Sequence, residues 1–199
     1  SGSMLINHSF QVDQPIDQVW NFFDDVPLVA ACVPGADLTK EVGDDQYEGD
    51  VTISAGPVKL EFSGELKIKS RDNTKKVIVL EGAGADKKGR GAASVVLDAS
   101  LNSLGGSTRV DLAIDLTISG AAAQYGRGLV ADFTEVLIDQ TADSMKTRMT
   151  AIAEGRDPMA VGAPQTASGI SIAFSAFTLA VKRVFARFFL PYQPAPSRS

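Results

Sequence analysis

The sequence predicts an α+β domain: a curved antiparallel sheet of about seven strands around a long C-terminal helix, followed by a further amphipathic helix. Three observations carry this reading. From residue 38 to residue 118 apolar residues recur with a period of two, in segments divided by turns rich in Gly, Asp and Asn. Residues 121–152 contain no proline, are rich in Ala, Leu, Met, Glu and Lys, and lie between Gly120 and Gly155, which favours one long helix. The order of segments pairs consecutive strands antiparallel and leaves the last helix to cover the concave face.

Taken in order, Leu5 to Val12 reads as a first strand. Pro15 then opens a helix over Ile16 to Phe23, where proline is tolerated, and Asp24-Asp25 end it. A second short helix follows Pro27 through Cys32 and is broken by Pro34-Gly35. Strands are expected over Leu38 to Val42, Tyr47 to Ala55, Val58 to Ile68, Lys76 to Gly82, Ala92 to Leu104 and Val110 to Ile118. Turns are expected at Gly43-Asp44-Asp45, Gly56-Pro57, Arg71-Asp72-Asn73, Asp86-Lys87-Lys88-Gly89 and Gly105-Gly106. The clearest alternation sets Leu60, Phe62, Gly64, Leu66 and Ile68 against Lys59, Glu61, Ser63, Glu65 and Lys67, as in a half-buried strand. Gly64 on the inward face predicts a bulge, or room on the concave side.

In the long helix Asp132, Glu135, Asp139, Asp143 and Lys146 form one solvated stripe at steps of three and four. Leu129, Val130, Phe133, Val136, Leu137, Ile138, Met145, Met149 and Ile152 fill an arc of well over half the circumference. Such a helix touches two things: the sheet, and a cavity, a short helix or a partner.

The chain has 199 residues, 44% of them hydrophobic and 22% charged, an ordinary globular composition. Residues 1–3 read as an expression scar. The domain itself is expected over 4–153, a flexible linker over 154–169, an amphipathic helix over 170–190 and a disordered tail over 191–199. No signal peptide is expected. The single cysteine, Cys32, forms no internal disulfide and suits a reducing, cytoplasmic setting. Four of the 19 basic residues lie beyond Asp157 and none of the 24 acidic ones does. An acidic body does not seek nucleic acid, whereas a cationic apolar tail suits an anionic membrane surface.

In that tail Phe174, Phe177, Val181, Val184 and Phe188 gather on one arc, while Lys182, Arg183 and Arg187 occupy the second half. A spanning helix needs about 20 apolar residues, so the segment reads as a helix lying in the membrane interface. The alternatives are packing on the protein's own core, or a dimer contact.

No catalytic constellation emerges. His8 is the only histidine, and a lone histidine is more often structural than catalytic. No metal site is expected. Residues 82–91 hold closely spaced glycines without Gly-Lys-Ser/Thr, and read as a hairpin turn rather than a phosphate loop. Candidate ligand-binding residues are Trp20, Phe23, Tyr47, Phe62, Tyr125, Leu129, Phe133, Val136 and Gln140. Gln140 interrupts the apolar arc; it bonds either a ligand carbonyl or nearby backbone. Tyr125 and Arg127 either line a cavity mouth or brace the helix, and most of the aromatics fit a plain core equally well.

An ordered set of short motifs runs through this scaffold. It comprises Pro15-Ile16-Asp17-Gln18-Val19-Trp20, Val33-Pro34-Gly35-Ala36, Gly56-Pro57-Val58, Phe62 and Gly64, the glycines 82, 84, 89 and 91 with Asp86, Gly106-Ser107-Thr108, and Gln124-Tyr125-Gly126-Arg127-Gly128. The set resembles the CoxG family of carbon monoxide dehydrogenase subunits, within the helix-grip, START-like superfamily. The resemblance covers positions 5 to about 152. It implies a curved sheet gripping a C-terminal helix with a ligand cavity between them. It also implies a non-enzymatic role with a molybdenum-containing carbon monoxide dehydrogenase. The guest would be a hydrophobic small molecule, with a respiratory quinone, menaquinone or ubiquinone, as the expected ligand and no covalently bound cofactor. The place would be the inner face of the cell membrane. Two alternatives stay open: a START-like enzyme acting on an apolar substrate, and a recruitment or maturation factor working through its surface.

Overall fold

The alternating segments form seven strands in one antiparallel sheet. The computed structural model describes residues 2–55 and 58–161. The strands are β1 (Ser3–Val12), β2 (Ala36–Gly43), β3 (Gln46–Ala55), β4 (Val58–Asp72), β5 (Val77–Asp86), β6 (Gly91–Ser103) and β7 (Thr108–Gly120). Across the sheet the order is β1-β7-β6-β5-β4-β3-β2. Only β1 departs from chain order, because α1 (Ile16–Asp24) and α2 (Val26–Ala31) carry the chain from one edge to the other. Asp25 ends α1 and caps α2, its Oδ1 accepting from Leu28 N at 3.1 Å. Ser3, set aside as a scar, pairs with Thr117 in β1.

The sequence reading and the structure differ at several places. First, β4 continues past Ile68 to Asp72, through a register shift between Ile68 and Ser70. The turn expected at 71–73 therefore follows it. There Asp72 Oδ1 accepts from Thr74 N and Lys75 N at 3.0 and 2.9 Å, and Lys76 adopts φ 56°. Second, Gly82 and Gly84 lie inside β5 and not in a turn, since their place in the ladder is one that side chains would crowd. Third, the expected single helix over 121–152 is two elements. Gly126, at φ 83°, breaks it into a 3₁₀ helix (Ala121–Tyr125) and α3 (Arg127–Ala153). Past α3, Pro158–Val161 forms a short helix, α4, within the stretch expected to be linker. The Gly56-Pro57 turn, the amphipathic helix expected over 170–190 and the tail at 191–199 lie outside the described residues.

The core sits at one end. Val12, Val19, Trp20, Phe22, Cys32, Leu101, Val110, Met145 and Met149 form a single buried cluster where α1, α2 and the C-terminal half of α3 meet the sheet. A smaller cluster of Ile6, Ile114 and Ile138 continues it along α3.

The curvature has an identifiable origin. Gly49 pairs with Gly64, Gly64 with Gly84, and Gly84 with Ala93, a row nearly free of side chains across four strands. A Cβ on Gly64 would stand 1.9 Å from Ala83 O and 2.6 Å from Gly84 Cα. The backbones approach this closely only because nothing projects there. Gly64→Ala is accordingly expected to lower the unfolding free energy by about 2 kcal/mol or more. Gly106→Ala, where an added Cβ meets nothing within 4 Å, serves as the neutral control. Urea melts of the two variants decide the point, and equal midpoints would contradict it.

Candidate ligand-binding groove

The inward residues of neighbouring strands stand in rows across the concave face. One row is Ile68, Leu80, Leu97, Ile114 and Ile6; the next is Tyr47, Leu66, Gly82, Val95, Leu116 and Met4. Beyond these come the glycine row and then Val51, Phe62 and Asp86. Burial falls from the first of these rows to the second, while the far row ends on Asp86, only 6% exposed. At the core end Val110 and Val12 are at most 1% exposed. Towards the other end Tyr47, Leu66, Val95, Leu116 and Phe62 are apolar or aromatic, face inward and remain only half-buried. Of these, Tyr47 and Leu66 pack against the larger core cluster and Val95 and Leu116 against the smaller one, so the concave face is a partly covered apolar surface.

Helix α3 forms the other wall, and it is fastened along the β1 edge. Arg127 Nη2 donates to Ser3 O, so Arg127 is a brace. His8 Nε2 stands 3.0 Å from Asp139 Oδ1, and Lys146 Nζ lies 6.0 Å from the Phe10 ring centre. Asp139 is two-thirds exposed, so this histidine–aspartate pair is a surface tie and not a sequestered catalytic pair. These contacts set the direction of the helix, with its N-terminus over the open rows and its C-terminal half over the core. Ile138, Met145 and Met149 face the sheet. Leu129, Phe133, Val136 and Gln140 recur at helical spacing on another face. Leu129 is buried and the other three are half-buried.

The candidate residues therefore divide. Tyr47 and Phe62 lie half-buried on the concave face of the sheet, whereas Phe133, Val136 and Gln140 are half-buried on a face of α3 other than the one that meets the sheet, and Tyr125 closes the 3₁₀ helix. Trp20 is not half-buried. It is 6% exposed within the core, and its Nε1 donates to Asn73 Oδ1 at 2.8 Å, with Lys76 Nζ 5.2 Å from the ring centre. Phe23 packs beside it against the same cluster. An amphipathic nine-residue helix seals the closed end with these rings instead of offering them to a guest.

Two residues that the sequence reading passed over are Ser144 and Arg148. They are 8% and 4% exposed and sit one helical turn apart, near Cys32. Burial pushes the Cys32 thiol above its ordinary value, with Ser144 and Arg148 pulling against that shift. The available signal was position: Arg148 falls well off the solvated stripe of α3.

Other polar groups are engaged at the rim. The Asp86 carboxylate accepts from Arg90 Nε at 2.7 Å and Arg90 N at 3.0 Å, while Arg90 Nη2 also reaches Lys59 O at 2.9 Å. No group of His, Cys, Asp and Glu able to hold a metal ion occurs among the described residues. A shallow, open depression of about 400 Å³ lined by Ser63, Ala83, Ser94, Thr117 and Ser119 lies on the convex face, opposite the apolar rows.

A seven-stranded antiparallel sheet bent around a long C-terminal helix is the helix-grip, START-like class of fold. Within that class the chain belongs to the family described as a carbon monoxide dehydrogenase subunit, CoxG, which matches residues 9–150. Solved structures agree on the fold. A conserved protein from Geobacillus kaustophilus superimposes with a TM-score of 0.68 at 17% identity, over 74% of this chain and 95% of that one. A START superfamily protein from Mycobacterium smegmatis gives 0.54 at 13% identity, over 76% and 99%. Norcoclaurine synthase from Thalictrum flavum gives 0.56 at 17%, over 76% and 97%. No curated protein matches the chain.

The Arg90 hydrogen bonds hold the Asp86 carboxyl down at about 2, below the ordinary 3.8. A lowered folded-state pKa contributes stability above the unfolded value and loses it as pH falls through the folded one. Thermal melts between pH 5 and pH 2 are thus expected to fall more steeply for the wild type than for Asp86→Asn. Parallel curves would show that the contact contributes nothing.

Proposed function

We propose that this domain is a non-enzymatic carrier of a hydrophobic small molecule, a respiratory quinone, working with carbon monoxide dehydrogenase. One observation supports it above the others: inward apolar side chains of the sheet, among them Leu66, Val95, Leu116 and Phe62, are only half-buried. Family membership supplies the partner. The quinone follows from the partner's need. Electrons leaving a soluble dehydrogenase must reach an acceptor held in the bilayer, and an isoprenoid tail costs about 0.8 kcal/mol per CH₂ to expose to water. A hollow protein removes that cost during transfer. Menaquinone and ubiquinone both fit the description, and the acidic body would steer docking by charge.

The cationic apolar segment at 170–190 supplies the second half of this reading, a tether on the inner face of the cell membrane. Among the described residues no helix is long and apolar enough to cross a membrane. The full chain is expected to sediment with vesicles containing anionic lipid, and a chain ending at residue 169 is expected to stay in the supernatant. Equal sedimentation of both would remove the tether.

The carrier reading is tested by mass spectrometry of apolar compounds copurifying with the protein, followed by quinone titration. Ala93 stands in the side-chain-poor row on the concave face. Ala93→Phe is expected to plug that trough and weaken quinone binding by about tenfold or more while the protein stays folded. No copurified quinone, together with no binding on titration, would leave only a surface role in recruitment or maturation.

A further inference from the structure

Beside the face of α3 that meets the sheet lies a second one, apolar and rimmed by acid. Val130, Phe133, Val136 and Leu137 recur along it at steps of three and four and are half-buried. Among the described residues, Val130, Val136 and Leu137 pack against neither of the two buried clusters. Asp132, Glu135, Asp139 and Asp143 run along its edge, all exposed. Asp139 is tied to His8, while Asp132, Glu135 and Asp143 join no ion pair among the described residues. An apolar face edged by unanswered carboxylates fits an occupant that is apolar on one side and cationic beside it.

The chain itself carries such an occupant. Residues 162–199 contain Lys182, Arg183, Arg187 and Arg198 and no acidic residue. The helix that the sequence predicts over 170–190 gathers Phe174, Phe177, Val181, Val184 and Phe188 on one arc. Its point of departure sets its direction. Helix α4 follows the C-terminal end of α3 and is joined to it where Arg148 Nη1 donates to Met159 Sδ at 3.7 Å. A segment that returns along α3 from there runs antiparallel to it. Residues 162–169 can bridge up to about 26 Å. A helix over 170–190 would be about 31 Å long, and α3, with 27 residues, is about 40 Å long. Laid back in this direction, the second half of the segment, with Lys182, Arg183 and Arg187, falls beside the first half of α3, with Asp132 and Glu135. Sign, order and length agree. We infer that residues 170–190 dock antiparallel on this second face of α3 when no membrane is present. The arc that meets α3 is the one that would enter a bilayer, so the two contacts exclude each other. The release of the segment by an anionic lipid surface rests on the tether reading; the docking on α3 does not.

The test follows amide hydrogen exchange by mass spectrometry in the full chain, free of lipid. The variant Lys182→Glu with Arg183→Glu and Arg187→Glu is expected to exchange about threefold faster or more across 129–143 than the wild type, with exchange in β5 unchanged. Adding Asp132→Lys and Glu135→Lys to it should restore the wild-type rate, because opposite signs then face each other again; both positions are exposed, outside the core. Phe177→Ser with Val184→Ser, which keeps every charge, should free the same stretch of α3. Vesicles of phosphatidylcholine and phosphatidylglycerol should raise exchange across 129–143 in the wild type to the level of the variants and leave 170–190 protected. Equal exchange across 129–143 in the wild type and both tail variants overturns the inference. So does protection that falls on dilution, which would make the occupant the segment of a second copy. Sedimentation with the vesicles, without any effect of the variants on α3, overturns the docking and leaves the tether standing. Protection of α3 that depends on the three cations, in a chain that does not sediment, supports the docking and removes the tether.

Discussion

The close approach of strands at Gly64 is the constraint from which the rest of the molecule follows. With Ala83 O only 1.9 Å from where a Cβ would stand, β4 and β5 cross at a separation no other residue permits. Gly49 and Gly84 extend the same condition to both sides. A sheet bent there acquires a concave face, and only a concave face can be spanned by one helix that touches it at one end. Were the row built from ordinary strand residues, the sheet would flatten and the same helix would lie down along its full length.

Where the helix is tied sets its course over the sheet. Arg127, Asp139 and Lys146 all meet β1, at Ser3, His8 and Phe10. These contacts follow one another in step along both elements, so the helix tracks the β1 edge. The middle strands lie beyond it. The larger packed cluster forms where α1 and α2 add a third layer, around Trp20, Phe22 and Cys32, and a smaller one around Ile138 continues along α3. The layers therefore divide the work, in that the glycines bend, β1 holds and the short helices seal.

Much of this was legible from residue order. Alternation in β4 assigned its faces correctly from Leu60 to Ile68, because a half-buried strand writes its two environments into successive residues. The glycines of β5 were misread as a turn. Locally, a Gly-Ala-Gly-Ala stretch beside a charged run has turn composition, and only the neighbouring strand reveals why side chains are excluded. Gly126 was passed over for a similar reason: its φ of 83° interrupts a segment whose composition is uniformly helical on both sides. Phe62 was identifiable as an inward apolar residue of its strand. Trp20 was not separable from it, since the same amphipathic pattern serves a sealed core and a ligand wall. Arg148 was hidden by its chemistry, because a lone cation in a charged-looking helix reads as surface until burial is known.

The distribution of polar groups bears on the proposal that this protein carries a guest. Catalysis of proton transfer needs a titratable group poised near neutrality and open to the reacting atoms. Here Asp86 is held far below neutrality by Arg90 at the rim. Asp139, the partner of His8, is spent on an exposed tie to the sheet. Cys32 is sealed beneath α2, with its thiol pushed up by burial. The inward rows between them are aliphatic or aromatic apart from Tyr47, whose hydroxyl is raised by burial and then by Glu41 and Asp45. A phenol shifted in that direction stays protonated and can donate a hydrogen bond without accepting a proton. Walls of this kind hold few groups able to exchange a proton with a guest, in keeping with the carrier reading proposed above.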